Sequence, residues 1–122
     1  MSDPSPLASP RRGQIWLVDW SPGRGSEQLG RRPAVVVQND QGNLSVYPNT
    51  IVAAISTRGK RVPFHVFVRK SRENGLKTDS YVKCEQILTV CKARLVGRPW
   101  GRLSAEEIAQ VDRALKLSLA LP

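Results

Sequence analysis

The run Ala34-Val35-Val36-Val37, entered through Arg31-Arg32-Pro33, is the feature that most restricts how this chain can fold. Consecutive β-branched residues are stiff at χ1, weaken a helix and suit a pleated strand. An unbroken apolar run, in place of strict alternation, predicts a strand covered on both faces. Pro33 biases Arg32 toward extended backbone, so the arginine is held still at the mouth of the strand. Upstream lies the glycine- and arginine-rich stretch GRGSEQLG, Gly23 to Gly30, with a single carboxylate, Glu27. That loop is either a solvated connection, or the strand is a rigid post aiming an arginine at an anion.

Other strands follow from the same reasoning. GQIWLVDW alternates Ile15, Leu17 and Asp19 against Trp16, Val18 and Trp20 and reads as the first strand. Residues 21–32 read as loop, and PAVVVQND as the second strand. QGNLSVYPN reads as a turn-rich connection. TIVAAIS, FHVFV and SYVKCEQI supply three more strands, with TRGKRVP as a basic loop between the first two of these. TVCKARLVG reads as a turn and one short strand. Residues 103–120 hold the convincing helix: Ser104 and Glu107 form a capping box, and Ile108, Val111, Leu115 and Leu119 share one face. Five to seven short strands and one terminal helix predict an α+β, mainly β fold, a small antiparallel, partly closed β-barrel with a C-terminal helix.

Its 122 residues suffice for one domain, expected over 11–122 after a disordered lead at 1–10. The first ten residues lack the layout of a signal peptide, and the longest purely apolar run, Ile51–Ile55, is far too short to span a membrane. A cytoplasmic location is expected. Cys84 and Cys91 would lie roughly 23 Å apart in an extended segment, beyond disulfide reach, so they are expected to be buried free thiols. With neither a CxxC pair nor a second histidine beside His65, no metal site is expected and no cofactor is implied.

Charge narrows the partner. Lys and Arg number 19 against 10 Asp and Glu, a net charge of +9. Eight of the cations fall between Arg58 and Lys83, opposed there by Glu73 and Asp79. A localised basic face of this kind points to a polyanion, and arginines suit bidentate phosphate contacts and stacking on bases.

The segments RRGQIWLVDWSPGRGSEQLGRRPAVVVQND, TIVAAIST, VPFHVFV, DSYVKCEQILTV, RLVGRPWGRLS and VDRALKLSLAL, in that order, resemble the MazF/PemK toxins of bacterial toxin–antitoxin systems. The resemblance covers residues 11–121. It implies an SH3-like, CcdB-like barrel, a homodimer, and a metal-independent, sequence-specific endoribonuclease acting on single-stranded RNA and mRNA. It also implies a MazE-like antitoxin whose acidic tail occupies the RNA groove. Arg32 matches the arginine that the family uses in catalysis. Ser56 stands where many relatives carry a catalytic threonine, keeping the hydroxyl but losing the methyl that stiffens the rotamer. Glu27 and Gln86 match polar residues of the RNA groove, and Trp20 and Ser26 fall within the same matched segments. Two other readings stand beside it: a gyrase poison like the CcdB toxins, and a catalytically weakened RNA-binding relative marked by Ser56.

The chemistry is coherent on its own terms. Cleavage of RNA through its own 2′-OH needs charge stabilisation at the phosphoryl oxygens, removal of the 2′ proton and protonation of the leaving 5′ oxygen. Arg32 suits the first task, and Ser56 adds a second donor. Arginine stays protonated at neutral pH, so the base is the weak point, with Glu27 and His65 as candidates. Thr57, Arg58, Lys60 and Arg61 follow Ser56 directly and are expected to track the RNA backbone. By alternation, Thr57 would face away from Ser56.

Overall fold

The computed structural model describes residues 9–20 and 30–122. Its strands are β1 (Gln14–Asp19), β2 (Arg31–Val36), β3 (Asn49–Ser56), β4 (His65–Val68), β5 (Ser80–Cys91) and β6 (Leu95–Arg102). One short helix, α1 (Asp40–Leu44), joins β2 to β3, and a longer one, α2 (Ala105–Leu119), follows β6. All neighbouring strands pair antiparallel, in the order β4-β5-β3-β2-β1-β6. The fold is therefore α+β and mainly β, as the sequence predicts.

Burial on both faces of β2 is borne out. Val35 joins Ile15, Ala53, Ile55 and Val82 on the face that α2 covers through Val111 and Ala114. Ala34 and Val36 join Trp16, Val18, Val52, Val90 and Leu95 on the other face. Alternation along β1 assigns its residues correctly too: Ile15 goes to the first cluster, Trp16 and Val18 to the second.

Three readings need correction. Arg31 and Arg32 belong to β2, not to the preceding loop, because the β1 ladder continues through Val18↔Arg32 and Asp19↔Arg31. The connection after β2 contains α1, capped by the Asn39 side chain on the Gly42 N–H and closed by Lys92, whose Nζ lies 3.0 Å from the Ser45 carbonyl. Finally, β5 runs to Cys91, and residues 95–102 form a full strand. With Gly97, Pro99 and Gly101, β6 carries few strand signals; pairing with β1 from Val18↔Leu95 to Gln14↔Arg102 overrides propensity. On α2, the capping box forms as expected and Val111 is buried, but Leu119 is exposed, since the last turn runs past the sheet.

The sheet does not close into a complete barrel. Its edge strands are β4, only four residues long, and β6, where Pro99 lacks a donor. The segment between β4 and β5 bridges part of the gap: Arg102 donates its N–H to the Glu73 carbonyl at 2.9 Å. Gly101 permits this approach, because a Cβ there would collide with the Glu73 carbonyl. Buried Asn74 holds the bridging turn, donating to the Arg69 carbonyl and accepting from the Ser71 and Leu76 N–H groups.

Arg12 fastens α2 and α1 to the sheet. Its guanidinium meets Asp112 at 2.7 Å and the Val37 carbonyl at 2.8 Å, and its N–H donates to Asp40 at 2.6 Å. That backbone hydrogen bond, helped by Asn43 and by the charges of Arg11 and Arg12, outweighs partial desolvation and holds the Asp40 carboxyl below its ordinary value of 3.8. Asp40 therefore contributes stability above its unfolded value, which is lost as pH falls through the lower folded one. Thermal denaturation between about pH 6 and 2 is expected to show a shallower acid limb for Asp40→Asn than for the wild type. Asn74→Ala is expected to cost about 2–4 kcal/mol in urea denaturation, because it strands two backbone donors and an acceptor.

Candidate active site

Two clefts open at the end of the sheet where β1 gives way to residues 21–29. The smaller, about 190 Å³, is lined by Arg32, Pro33, Ile55, Ser56, Thr57 and Ser80. Its key pair follows from strand register. β2 and β3 pair at Ala34↔Ala54, and extending that ladder by two residues sets position 32 across from position 56. Arg32 is exposed, and among the described residues no carboxylate pairs with it. Its guanidinium is thus available to an external anion.

Ser56 closes β3. Its Oγ accepts from the Arg58 N–H at 3.1 Å, which turns the chain out of the strand. That contact uses a lone pair and leaves the hydroxyl hydrogen free to donate into the cleft. Thr57 lines the same cleft; because the strand ends at Ser56, alternation does not carry Thr57 to the far side as expected. Arg58, Lys60 and Arg61 are all exposed on the loop beyond. Gly59 packs against the Tyr81 ring so closely that any Cβ there would overlap it.

The larger cleft, about 760 Å³, runs from Asp19 and Trp20 along β5 from Glu85 to Cys91 and on to Arg94. It brings together Trp20 and Gln86. Trp20 also packs against the second core cluster. Its Nε1 is buried with no hydrogen-bond partner among the described residues. The sequence did not single out Glu85, Thr89 or Arg94 here. Arg94, which donates to the Asp19 carbonyl at 3.3 Å, falls in the stretch read as a turn. Glu27 and Ser26 lie outside the described residues.

A break in the β3–β5 ladder shapes this cleft. Ala54 pairs with Lys83 and Ala53 with Ile87, so Cys84, Glu85 and Gln86 have no partner on β3. This bulge, the CEQ of the sequence, turns Cys84 inward while Glu85 and Gln86 face the cleft. Desolvation pushes the Glu85 carboxyl up, but a hydrogen bond from His65, its own backbone N–H and the charges of His65 and Lys83 leave it lowered on balance. His65 is not an idle base: Nδ1 meets the Lys60 N–H and Nε2 meets Glu85.

The profile of the PemK-like, MazF-like toxins of type II toxin–antitoxin systems matches residues 11–119, and the chain belongs to that family. It is 45% identical over 116 residues to endoribonuclease MazF9 of Mycobacterium tuberculosis, spanning 91% of this chain and 97% of that protein. Among solved structures, a mycobacterial endoribonuclease in complex with its cognate antitoxin superposes with a TM-score of 0.76 at 24% identity, covering 93% of this chain and 97% of that one. MazF from Deinococcus radiodurans gives 0.76 at 22% identity, covering 93% and 99%. At such identities the structural likeness bears on the fold alone. Among the described residues, no helix is long and apolar enough to cross a membrane.

Both cysteines are free, although only Cys84 is buried as expected; Cys91 is half-buried at the rim of the large cleft. Burial, aided by the charges of Glu85 and Asp112, pushes the Cys84 thiol up to about 12. Such a thiol offers almost no thiolate near neutrality. Mass spectrometry after iodoacetamide treatment of the native protein at mildly alkaline pH is expected to find Cys91 modified and Cys84 untouched, with both modified in denaturant.

Proposed function

We propose that this chain is the toxin of a toxin–antitoxin pair and acts as a metal-independent, sequence-specific endoribonuclease on single-stranded RNA and mRNA. Convergence of Arg32 and Ser56 on one cleft, beside a loop of exposed cations, is the observation that carries this reading. The relatives named above support it, since one is an endoribonuclease and another was solved with its antitoxin. A homodimer in the cytoplasm, silenced by a MazE-like antitoxin, is part of the same proposal, as is a toxin domain over residues 11–122.

In the reaction, the ribose 2′ oxygen attacks its own phosphorus. The O2′–P bond forms, the P–O5′ bond breaks, and the products are a 2′,3′-cyclic phosphate and a free 5′-OH. The 2′ proton must leave and the 5′ oxygen must gain one. Arg32 neutralises charge accumulating on the non-bridging oxygens, and the Ser56 hydroxyl donates to one of them. Neither group is a base, and among the described residues no carboxylate or imidazole lines the small cleft. Glu27, on the segment that follows Trp20, is the proposed base or positioning group. Trp20 and Gln86 read the strand in the larger cleft, Thr57, Arg58, Lys60 and Arg61 follow its phosphates, and Ser26 is a further RNA-binding residue.

Incubation of the protein with mixed RNA in excess EDTA is expected to yield fragments ending in cyclic phosphate. Arg32→Ala is expected to slow cleavage by about 10²–10³-fold, and Arg32→Lys to restore little of it, because a point charge lacks the planar fork. Cleavage that survives Arg32→Ala unchanged, or that EDTA abolishes, would sink the mechanism. RNA binding without cleavage would instead identify a weakened relative. Replacing Arg58, Lys60 and Arg61 together with alanine is expected to reduce the slope of log K against log salt by about 2.

A further inference from the structure

His65, the chain's single histidine, ties the basic loop to the wall of the large cleft, and the reaction above makes no use of it. It opens β4 opposite Lys83 of β5, with 7% of its side chain exposed. Nδ1 lies 3.0 Å from the Lys60 backbone nitrogen, and Nε2 lies 3.0 and 3.1 Å from the two Glu85 oxygens. A backbone N–H can only donate, so Nδ1 must present its lone pair. The proton of the neutral ring is then on Nε2 and is donated to Glu85. One imidazole thus joins the loop that leaves Ser56 to the β5 bulge that carries Gln86.

We propose that His65 is a positioning residue for RNA: it latches residues 57–63 to the β5 bulge and so fixes Arg58, Lys60 and Arg61 along the path of the strand. This rests on the ribonuclease reading above. The latch is sensitive to protons on one side only. An imidazolium carries N–H at both positions, so Nδ1 would face the Lys60 N–H as donor against donor, whereas the Glu85 contact survives in either state. Glu85 meets the ring at Nε2, Lys83 stands across the ladder on β5, and Lys60 meets it through its backbone N–H. The Tyr81 ring on β5, its centroid 6.4 Å away, and Phe64, edge-on at 5.2 Å, also face it. Protonation therefore breaks the loop's contact with the ring at Lys60, leaving the ring anchored to Glu85 and the loop held at its ends by the Val62 carbonyl and the Arg58 N–H.

Two substitutions separate the halves of the latch. Asparagine sets its carbonyl near the Nδ1 position, accepts from Lys60 and does not titrate; it gives up Glu85, and pairing of β4 with β5 then holds position 65 beside the bulge. Glutamine reaches the Nε2 position, keeps Glu85 and leaves the Lys60 N–H unpaired. KM for a single-stranded oligoribonucleotide, measured in EDTA from about pH 5 to 8, is expected to rise about five-fold at the acid end for the wild type, roughly the worth of one hydrogen bond. His65→Asn is expected to hold the low value throughout, and His65→Gln the raised value throughout. Hydrogen exchange at the Lys60 amide reads the latch directly: protection is expected in the wild type at the alkaline end and in His65→Asn, and not in His65→Gln. A His65→Gln variant with wild-type KM, an acid limb retained in His65→Asn, or equal Lys60 protection in all three would overturn the proposal. A wild type that cleaves no RNA would defeat the ribonuclease reading and the KM argument with it, while the exchange result still decides whether the latch exists.

Discussion

The register between β2 and β3 is the constraint on which the site depends. Ala34 pairs with Ala54 and Val36 with Val52, and these strands are buried on both faces. A slip of one residue would send each side chain to the opposite face and carry Arg32 away from Ser56. Burial of a valine is worth about 1.5–3 kcal/mol, whereas an exposed arginine contact is worth about 1 kcal/mol or less. Apolar packing therefore sets the register, and the polar pair at the mouth inherits its geometry from valines that never touch a substrate.

The bulge in β5 plays a complementary part. Before it, β5 bridges β4 and the end of β3; beyond it, the strand continues along β3 to Asn49↔Cys91. Inserting Cys84, Glu85 and Gln86 at the break lets one strand contribute to the core, to the large cleft and to the basic loop through His65. Among the described residues the two clefts share no lining residue, yet β5 lines both, through Ser80 in the small one and Glu85 to Cys91 in the large one.

Much of this was legible in the sequence because the informative residues carry local signals. Val35 and its neighbours announced a two-sided strand, Ser104 and Glu107 the start of α2, and the Arg32-Pro33 junction an extended backbone. Readings went astray where tertiary pairing overrode local preference. β6 is a strand because β1 needs a partner, not because Gly97, Pro99 and Gly101 favour one. α1 hides in a stretch whose Asn and Gly read as turns, yet Asn39 and Lys92 finish its two ends. The partnership of His65 with Glu85 spans twenty positions and depends on a bulge that no periodicity predicts. Convergence of Arg32 and Ser56 could be named from the resemblance, but the facing positions come from the ladder.

The pairing of β1 with β6 bears on how the protein is made. One edge of β1 is sealed by β2 soon after both have been translated, whereas its other edge waits for residues 95–102. Contacts this distant in sequence form late and slowly. Until β6 emerges from the ribosome, the nascent chain presents an open strand edge beside the arginine-bearing strand. A message interrupted before that point would yield a fragment lacking the sheet's outer strand and the helix that covers its core. Completion of synthesis is thus built into the topology as a condition for a finished catalyst.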